Sequence, residues 1–132
     1  MRLEIVTPDK STYEGDVNGV VYMAPHGEVG ILPGHAPFFS LIKPCELIID
    51  EAGQSKSLAV GSGFVEVTTN AITILTDMAM NPEEINEQIT QEALERAQDA
   101  VKNTEITDEE KEKHMIAIEK SLAVLRVKRK HM

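Results

Sequence analysis

Cysteine occurs once in these 132 residues, as Cys45, and tryptophan not at all. A single cysteine excludes an intramolecular disulfide and a cysteine metal cluster. Within "KPCELIID" it reads as a small buried hydrophobe, with no neighbouring base to make it a nucleophile. Aromatic residues are also scarce, three Phe and two Tyr, which counts against a sugar-binding face. Cations are outnumbered: the formal charge is −9, and nucleic-acid phosphates require a basic face. No apolar run approaches the roughly 18 residues that span a bilayer. "MRLEIVTPDK" carries no apolar core of a signal peptide. The expectation is a soluble, cytoplasmic protein that does not insert into a membrane, though it can dock on a membrane complex. Finally, glycine is missing after Gly63 and the second half holds only one proline, Pro82.

What remains divides at about residue 80. Before it, short apolar runs are separated by turn residues every eight to twelve positions. Leu3 and Ile5 alternate ahead of Pro8, and Val17, Val20, Val21 and Tyr22 follow between glycines. Phe38 to Ile42 closes at Pro44, and Leu47 to Ile49 ends at Asp50-Glu51-Ala52-Gly53. Leu58 and Val60, then Phe64, Val65 and Val67, then Ile72 and Ile74 complete the series. That spacing predicts an antiparallel β-sandwich or barrel over residues 1–80. A module of that size buries only about 60% of its unfolded surface, so it gains by leaning on something else.

Residues 81–132 predict a helical hairpin. Asn81-Pro82-Glu83-Glu84 supplies a cap, a proline at the first helical position and an acid at the third, and Asn86 is a second candidate cap. Ile85, Ile89, Ala93, Ala97 and Ala100/Val101 form a stripe at helical spacing. After a break at Asn103–Ile106, Thr107-Asp108-Glu109-Glu110 opens a second helix with a stripe of Met115, Ile118, Leu122 and Leu125. The two stripes are expected to bury each other in an antiparallel pair, hinged to the sandwich near Met80–Asn86. Charge follows the same division: residues 1–80 are net −6, 81–119 net −8 and 120–132 net +5. The basic tail, Arg126, Lys128, Arg129 and Lys130 with His131 beyond, reads either as a solvated helix end complementing the dipole or as a docking element for an acidic partner.

The most shaped stretch is Gly27-Glu28-Val29-Gly30-Ile31-Leu32-Pro33-Gly34-His35-Ala36-Pro37, with three glycines and two prolines in eleven residues. It reads as a compact bend, pinned by Val29, Ile31 and Leu32, that presents Glu28 and His35. His26 and His35 flank Glu28, but the remaining histidines, at 114 and 131, supply no third ligand at a suggestive spacing. No nucleophile elbow, phosphate loop or dinucleotide fingerprint is present. Glu83/Glu84 and Glu109/Glu110 stand at helix starts, where the dipole accounts for them. No catalytic, metal or cofactor site is expected.

The stretch "GEVGILPGHAPFFSLIKP" resembles the epsilon subunit of bacterial F-type ATP synthases. "TPDKSTYEGDV" (Thr7–Val17) is similar to that family's opening, and "VGSGFVEVTTNAITILTDMA" (Val60–Ala79) to its later strands. The matched blocks keep their order, and a helical hairpin follows as in the family. The resemblance implies a non-catalytic rotor subunit on the cytoplasmic face of the membrane. Its sandwich would grip the gamma subunit and sit on the ring of c subunits, coupling rotation to ATP synthesis. Its hairpin would inhibit ATP hydrolysis when extended toward the alpha/beta head. Carried over, Glu28, Pro33, Gly34 and His35 would bind partners, with Glu28 facing the ring and His35 lying toward gamma. The tail Arg126, Lys128, Arg129 and Lys130 would touch the head.

Some members of the family bind ATP through an Ile/Leu-Asp-x-x-Arg-Ala motif. The matching stretch here is Ile85-Asn86-Glu87-Gln88-Ile89-Thr90, which retains only the first residue. Asp99, Lys120 and Val124 stand where such relatives carry arginines. A triphosphate needs fixed cations, so millimolar ATP is expected not to bind. Two other classes remain as alternatives: a ligand-binding sandwich whose hairpin makes dimers, and a barrel metalloenzyme. The few aromatics and scattered histidines weigh against them.

Overall fold

The computed structural model describes residues 1–130; His131, counted above with the basic tail, lies outside them. Ten strands precede two helices. They are β1 (Arg2–Val6), β2 (Ser11–Asp16), β3 (Gly19–Ala24), β4 (Gly27–Ile31) and β5 (Phe38–Ile42). Then come β6 (Cys45–Glu51), β7 (Gln54–Val60), β8 (Gly63–Val67), β9 (Ala71–Thr76) and β10 (Ala79–Met80). They form two five-stranded sheets. The first runs β2-β1-β9-β8-β5 and the second β10-β7-β6-β3-β4. All pairings are antiparallel except β1 with β9, where Leu3 lies opposite Ile72 and Ile5 opposite Ile74. Alternate residues of both sheets close a core that includes Leu3, Ile5, Tyr22, Leu47, Ile49 and Ile74, each without exposed surface. This is the β-sandwich that the strand spacing predicts.

Three strands were not legible in the spacing. β2 is polar, Ser-Thr-Tyr-Glu-Gly-Asp, and lies at an edge of its sheet, so it has no apolar alternation. β10 has only two residues. β4 occupies half of the stretch expected to be a bend. Gly27, at φ +143°, turns the chain, and Gly27–Ile31 then pairs residue by residue with β3. Glycine is tolerated there because β4 is an edge strand. The true bend is limited to Leu32–Pro37.

The helical half begins with a 3-10 turn at Pro82–Glu84. Glu84 Oε1 accepts from the Asn81 backbone N–H at 3.1 Å and from its side-chain amide at 2.7 Å. These bonds hold the Glu84 carboxyl below the usual carboxylate range. Asn86 is the cap of α1 (Glu87–Val101), accepting from the Ile89 N–H at 3.0 Å. Thr107 caps α2 (Asp108–Lys130), accepting from the Glu110 N–H at 3.1 Å.

The expected stripes meet the buried face in part: Ile85, Ala97 and Leu125 are buried. Ile89, Met115 and Leu122 are all exposed, whereas α1 buries Leu94 and Ala97. Ile85 precedes α1 and is buried in the cluster beneath α2, while Ile89, in the first turn, faces water. The second helix buries Ala123, Val124, Leu125 and Val127. Four residues within five positions wrap around a helix because α2 has two partners. It packs along α1 and also against β6 and β7. Ala59, Ile85, Val124 and Val127 form a second apolar cluster, with Met78 and Met80 against it. The hairpin is therefore docked on the sandwich, which neither stripe foretold.

Candidate functional site

β4 ends in the core at Ile31, and the chain then leaves the protein surface as a six-residue loop. Leu32, Pro33, Gly34, His35, Ala36 and Pro37 are all exposed. Gly34 sits at φ +83°, in the left-handed region that favours glycine. The His35 ring rests on Phe38, with centroids 5.1 Å apart, and its Nδ1 lies 3.2 Å from the Ala36 carbonyl oxygen. Pro33, Gly34 and His35 are thus brought together on one knob. Glu28 is not part of it: it lies within β4, opposite Met23.

A larger feature lies on the outer face of the first sheet. Leu41, Phe64 and Leu75 are about half exposed, at 50%, 46% and 47%, and Phe39 is 63% exposed. The register makes them a row. Leu41 is opposite Phe64, Phe64 opposite Leu75, and Leu75 opposite Val6. Phe39 stacks on Phe64, ring centroids 5.6 Å apart. The next row is acidic: Glu66 opposite Thr73, Thr73 opposite Glu4, and Glu4 opposite Glu14. A contiguous apolar band across four strands marks an interaction surface rather than a solvated one. Sequence reasoning placed these side chains in strands without assigning them a face. The available signal was β5 itself, where Phe38-Phe39-Ser40-Leu41-Ile42 is apolar on both faces.

The basic tail is largely engaged by its own chain. Arg129 Nε donates to Glu87 Oε1 at 2.8 Å, and its Nη2 to Gln91 Oε1 at 3.3 Å. Lys128 Nζ donates to the Pro82 carbonyl oxygen at 3.2 Å. Lys130 Nζ stands 3.2 Å from Glu46 Oε2, an ion-pair distance without good hydrogen-bond geometry, and Glu46 is only 11% exposed. Arg126 is exposed at a cavity that also holds Cys45, Leu122 and Glu119. Lys120 Nζ pairs with Asp77 Oδ2 at 2.8 Å, tying α2 to the end of β9.

The positions aligned with an ATP motif serve other purposes. Asn86 is a cap, Lys120 is held by Asp77, and Val124 is buried in the cluster beneath α2. Asp99 lies 4.0 Å from Lys102. No group of three or more His, Cys, Asp or Glu suited to a metal ion occurs among the described residues. Cys45 is 3% exposed, and burial pushes its thiol up, which makes it a poor nucleophile. Among the described residues the arrangement presents surfaces suited to binding.

A family model described as "ATP synthase, Delta/Epsilon chain, beta-sandwich domain" matches residues 1–82. An ATP synthase epsilon chain of Trichlorobacter lovleyi is 35% identical over 127 residues, covering 96% of this chain and 92% of the relative. The Bacillus subtilis ATP synthase epsilon chain is 37% identical over 99 residues, 75% of each chain. Among solved structures, a chain of the Euglena gracilis mitochondrial ATP synthase (OSCP/F1/c-ring, rotational state 1) superposes with a TM-score of 0.78. It is 24% identical, and the match covers 92% of this chain and 77% of that one. A chain of the Tetrahymena thermophila mitochondrial ATP synthase central stalk and c-ring gives a TM-score of 0.66 at 12% identity, covering 97% and 96%. Both structural likenesses concern the fold.

Proposed function

The chain belongs to the ATP synthase delta/epsilon family, and from that premise we propose that it is the epsilon subunit of the rotor. In this reading it is a stalk subunit without catalytic chemistry, peripheral on the cytoplasmic face of the membrane. It couples the turning of the c ring, driven by protons, to ATP synthesis in the alpha/beta head. Residues 1–80 act as the gripping unit and residues 81–132 as the regulatory one. The observation that carries the reading is the exposed row Val6, Leu75, Phe64 and Leu41, an apolar band on an otherwise acidic protein. Such a band is unstable facing water and suits a permanent neighbour in a stalk.

The other residues take roles consistent with their placement. The knob Pro33-Gly34-His35 projects from the Ile31 end of β4 and lies toward gamma, and Glu28, near the other end of that strand, faces the ring. Arg126, Lys128, Arg129 and Lys130 contact acidic surfaces of the head once the hairpin leaves the sandwich. The ion pairs of Lys130 and Arg129 hold the tail until then. A hairpin fastened by one small apolar cluster and a few surface pairs is a reasonable two-state element. The subunit does not bind ATP at millimolar concentrations, because the cations a triphosphate needs are replaced or engaged.

The test is truncation after Thr104, which removes α2, followed by ATP hydrolysis of the assembled complex. Hydrolysis is expected to rise. Unchanged hydrolysis under every condition removes the inhibitory role and leaves the coupling role standing.

A further inference from the structure

Asp77 is held in place by the backbone on either side of it. It follows β9 directly, and its N–H donates to the Ser62 carbonyl oxygen at 3.2 Å. One residue on, the Met78 carbonyl oxygen accepts from the Gly61 N–H at 2.9 Å. The buried Thr76 hydroxyl donates to the same carbonyl oxygen at 3.2 Å. The Thr76–Met78 turn is thus fastened to Gly61-Ser62, the link between β7 and β8. From this mount the Asp77 carboxylate meets Lys120 Nζ of α2 at 2.8 Å.

That carboxylate occupies space that a side chain at position 61 would fill. A Cβ built on Gly61 lands 1.8 Å from Asp77 Oδ1 and 3.2 Å from Lys120 Cε. Gly61 is not among the glycines with positive φ, so its backbone does not demand glycine. What glycine provides here is room. The obstacle is the end of a flexible side chain, so an added methyl moves the carboxylate and leaves the strands in place.

The pair also has a distinctive position. Lys130 reaches the second sheet and Arg129 reaches α1, whereas Lys120 alone among the described residues forms an ion pair with the end of the first sheet. Lys128 and Arg129 hold the far end of α2 to Pro82 and Glu87, beside the expected hinge. Lys120 stands about 12 Å back along the axis from Lys128. A tie that far from a hinge is the first to part when the hairpin swings out.

We propose that Gly61 is a positioning residue for a salt-sensitive latch, in which Asp77 holds Lys120 and so sets how readily the hairpin leaves the sandwich. The inference takes its consequence, though not its geometry, from the epsilon-subunit reading above. Apolar contact at Val124 and Val127 keeps the helix docked, and the latch adjusts the balance. An exposed pair of this kind shifts an equilibrium by up to about fivefold.

The full chain is digested with thermolysin, and cleavage within Asp108–Lys130 is followed by mass. Salt is set at about 10 mM or about 1 M, where charges act over about 30 Å and about 3 Å. Gly61→Ala and Asp77→Ala are each expected to speed cleavage about two- to fivefold at low salt and to leave it unchanged at high salt. With Asp77→Ala in place the obstacle is gone, so adding Gly61→Ala is expected to change nothing further. Lys120→Gln, which leaves Gly61 untouched, is expected to match Asp77→Ala and not to add to it. Circular dichroism checks that each variant folds, and if Gly61→Ala does not, the Asp77→Ala and Lys120→Gln pair carries the test.

The latch is overturned if the effect of Gly61→Ala persists in the double variant or at high salt, or if Lys120→Gln is cleaved like the parent. In the assembled complex Asp77→Ala is expected to lower ATP hydrolysis by freeing the hairpin. If it speeds cleavage yet leaves hydrolysis unchanged, the latch stands and the inhibitory role in the epsilon reading fails.

Discussion

At the scale of single residues, the sharpest constraint is Gly63. A Cβ built there lands on the carbonyl of Leu75, backbone of the neighbouring strand, which cannot swing aside. Gly30 offers the contrast, since a Cβ there meets nothing within 4 Å. Gly63→Ala is therefore expected to cost about 1–3 kcal/mol or more, as overpacking does. Gly30→Ala should stay within about 0.5 kcal/mol. Urea titration of the two variants checks the difference, and equal midpoints would show that the β8–β9 approach is not rigid. Both glycines lay open in the sequence, but nothing in it separated them. Local spelling marks where glycine stands, whereas the partner strand that makes one indispensable is twelve residues away. Cys45 behaved otherwise: its apolar neighbours announced its burial, and 3% exposure bears that out.

At the scale of elements, capping chemistry was legible and helical phase only in part. Asn81, Asn86 and Thr107 each stand where their sequence context suggested, because a cap depends on four consecutive residues. The turn at Pro82–Glu84 gives a pH-dependent test. Asn81 donates twice to Glu84 and lowers its carboxyl pKa in the folded state. A depressed folded pKa contributes stability above the unfolded value, and that contribution is lost as pH falls through the folded one. Glu84→Gln should thus be slightly less stable than the parent at pH 7, with the gap closing below about pH 4. The carboxylate is exposed, so the effect is small; a gap that widened in acid would rule the pin out. The helix stripes held at some positions and missed at others for a reason of scale. Ala97 and Leu125 are buried as their spacing suggested, but Ile89 and Leu122 face water, since α2 answers to a sheet as well as to a helix. β2 and β4 escaped for the same reason: edge strands are shaped by what they pair with, and Ser11–Asp16 carries no alternation of its own.

At the scale of the whole molecule, the question is what holds the hairpin. Among the described residues, three ion pairs join α2 to the rest of the chain: Lys120–Asp77, Arg129–Glu87 and Lys130–Glu46. The first two are exposed pairs, which contribute about 0–1 kcal/mol each and weaken with salt; in the third Glu46 is largely covered but meets Lys130 without a hydrogen bond. Burying a valine contributes about 1.5–3 kcal/mol, and Val127 is wholly buried with Val124 beside it. Apolar contact therefore dominates, and charge trims it. Val127→Asp should release α2 and raise thermolysin cleavage within Asp108–Lys130 by more than about tenfold, with the sandwich still folded by circular dichroism. Lys120→Ala should raise it by less than about fivefold. The reverse ranking would make the docking electrostatic. The candidate surface was the least legible feature of all. The knob at Pro33–His35 stands out in the sequence because its glycine and prolines are adjacent. The apolar band draws single residues from four strands between positions 6 and 75, and only the register aligns them.

The parallel pairing of β1 with β9 sets the order in which the protein can be made. Arg2–Val6 is made before the other nine strands, yet one of its flanks is completed only by Ala71–Thr76. Until then β1 has β2 as its sole neighbour in that sheet and an open edge on the other side. The remaining sheet needs nothing earlier than Gly19 and finds its partners within short spans. Synthesis therefore favours a nascent chain in which one half of the sandwich assembles locally while the other waits for a long-range closure. A stall before residue 71 would strand a sticky, half-finished sheet for chaperones to guard.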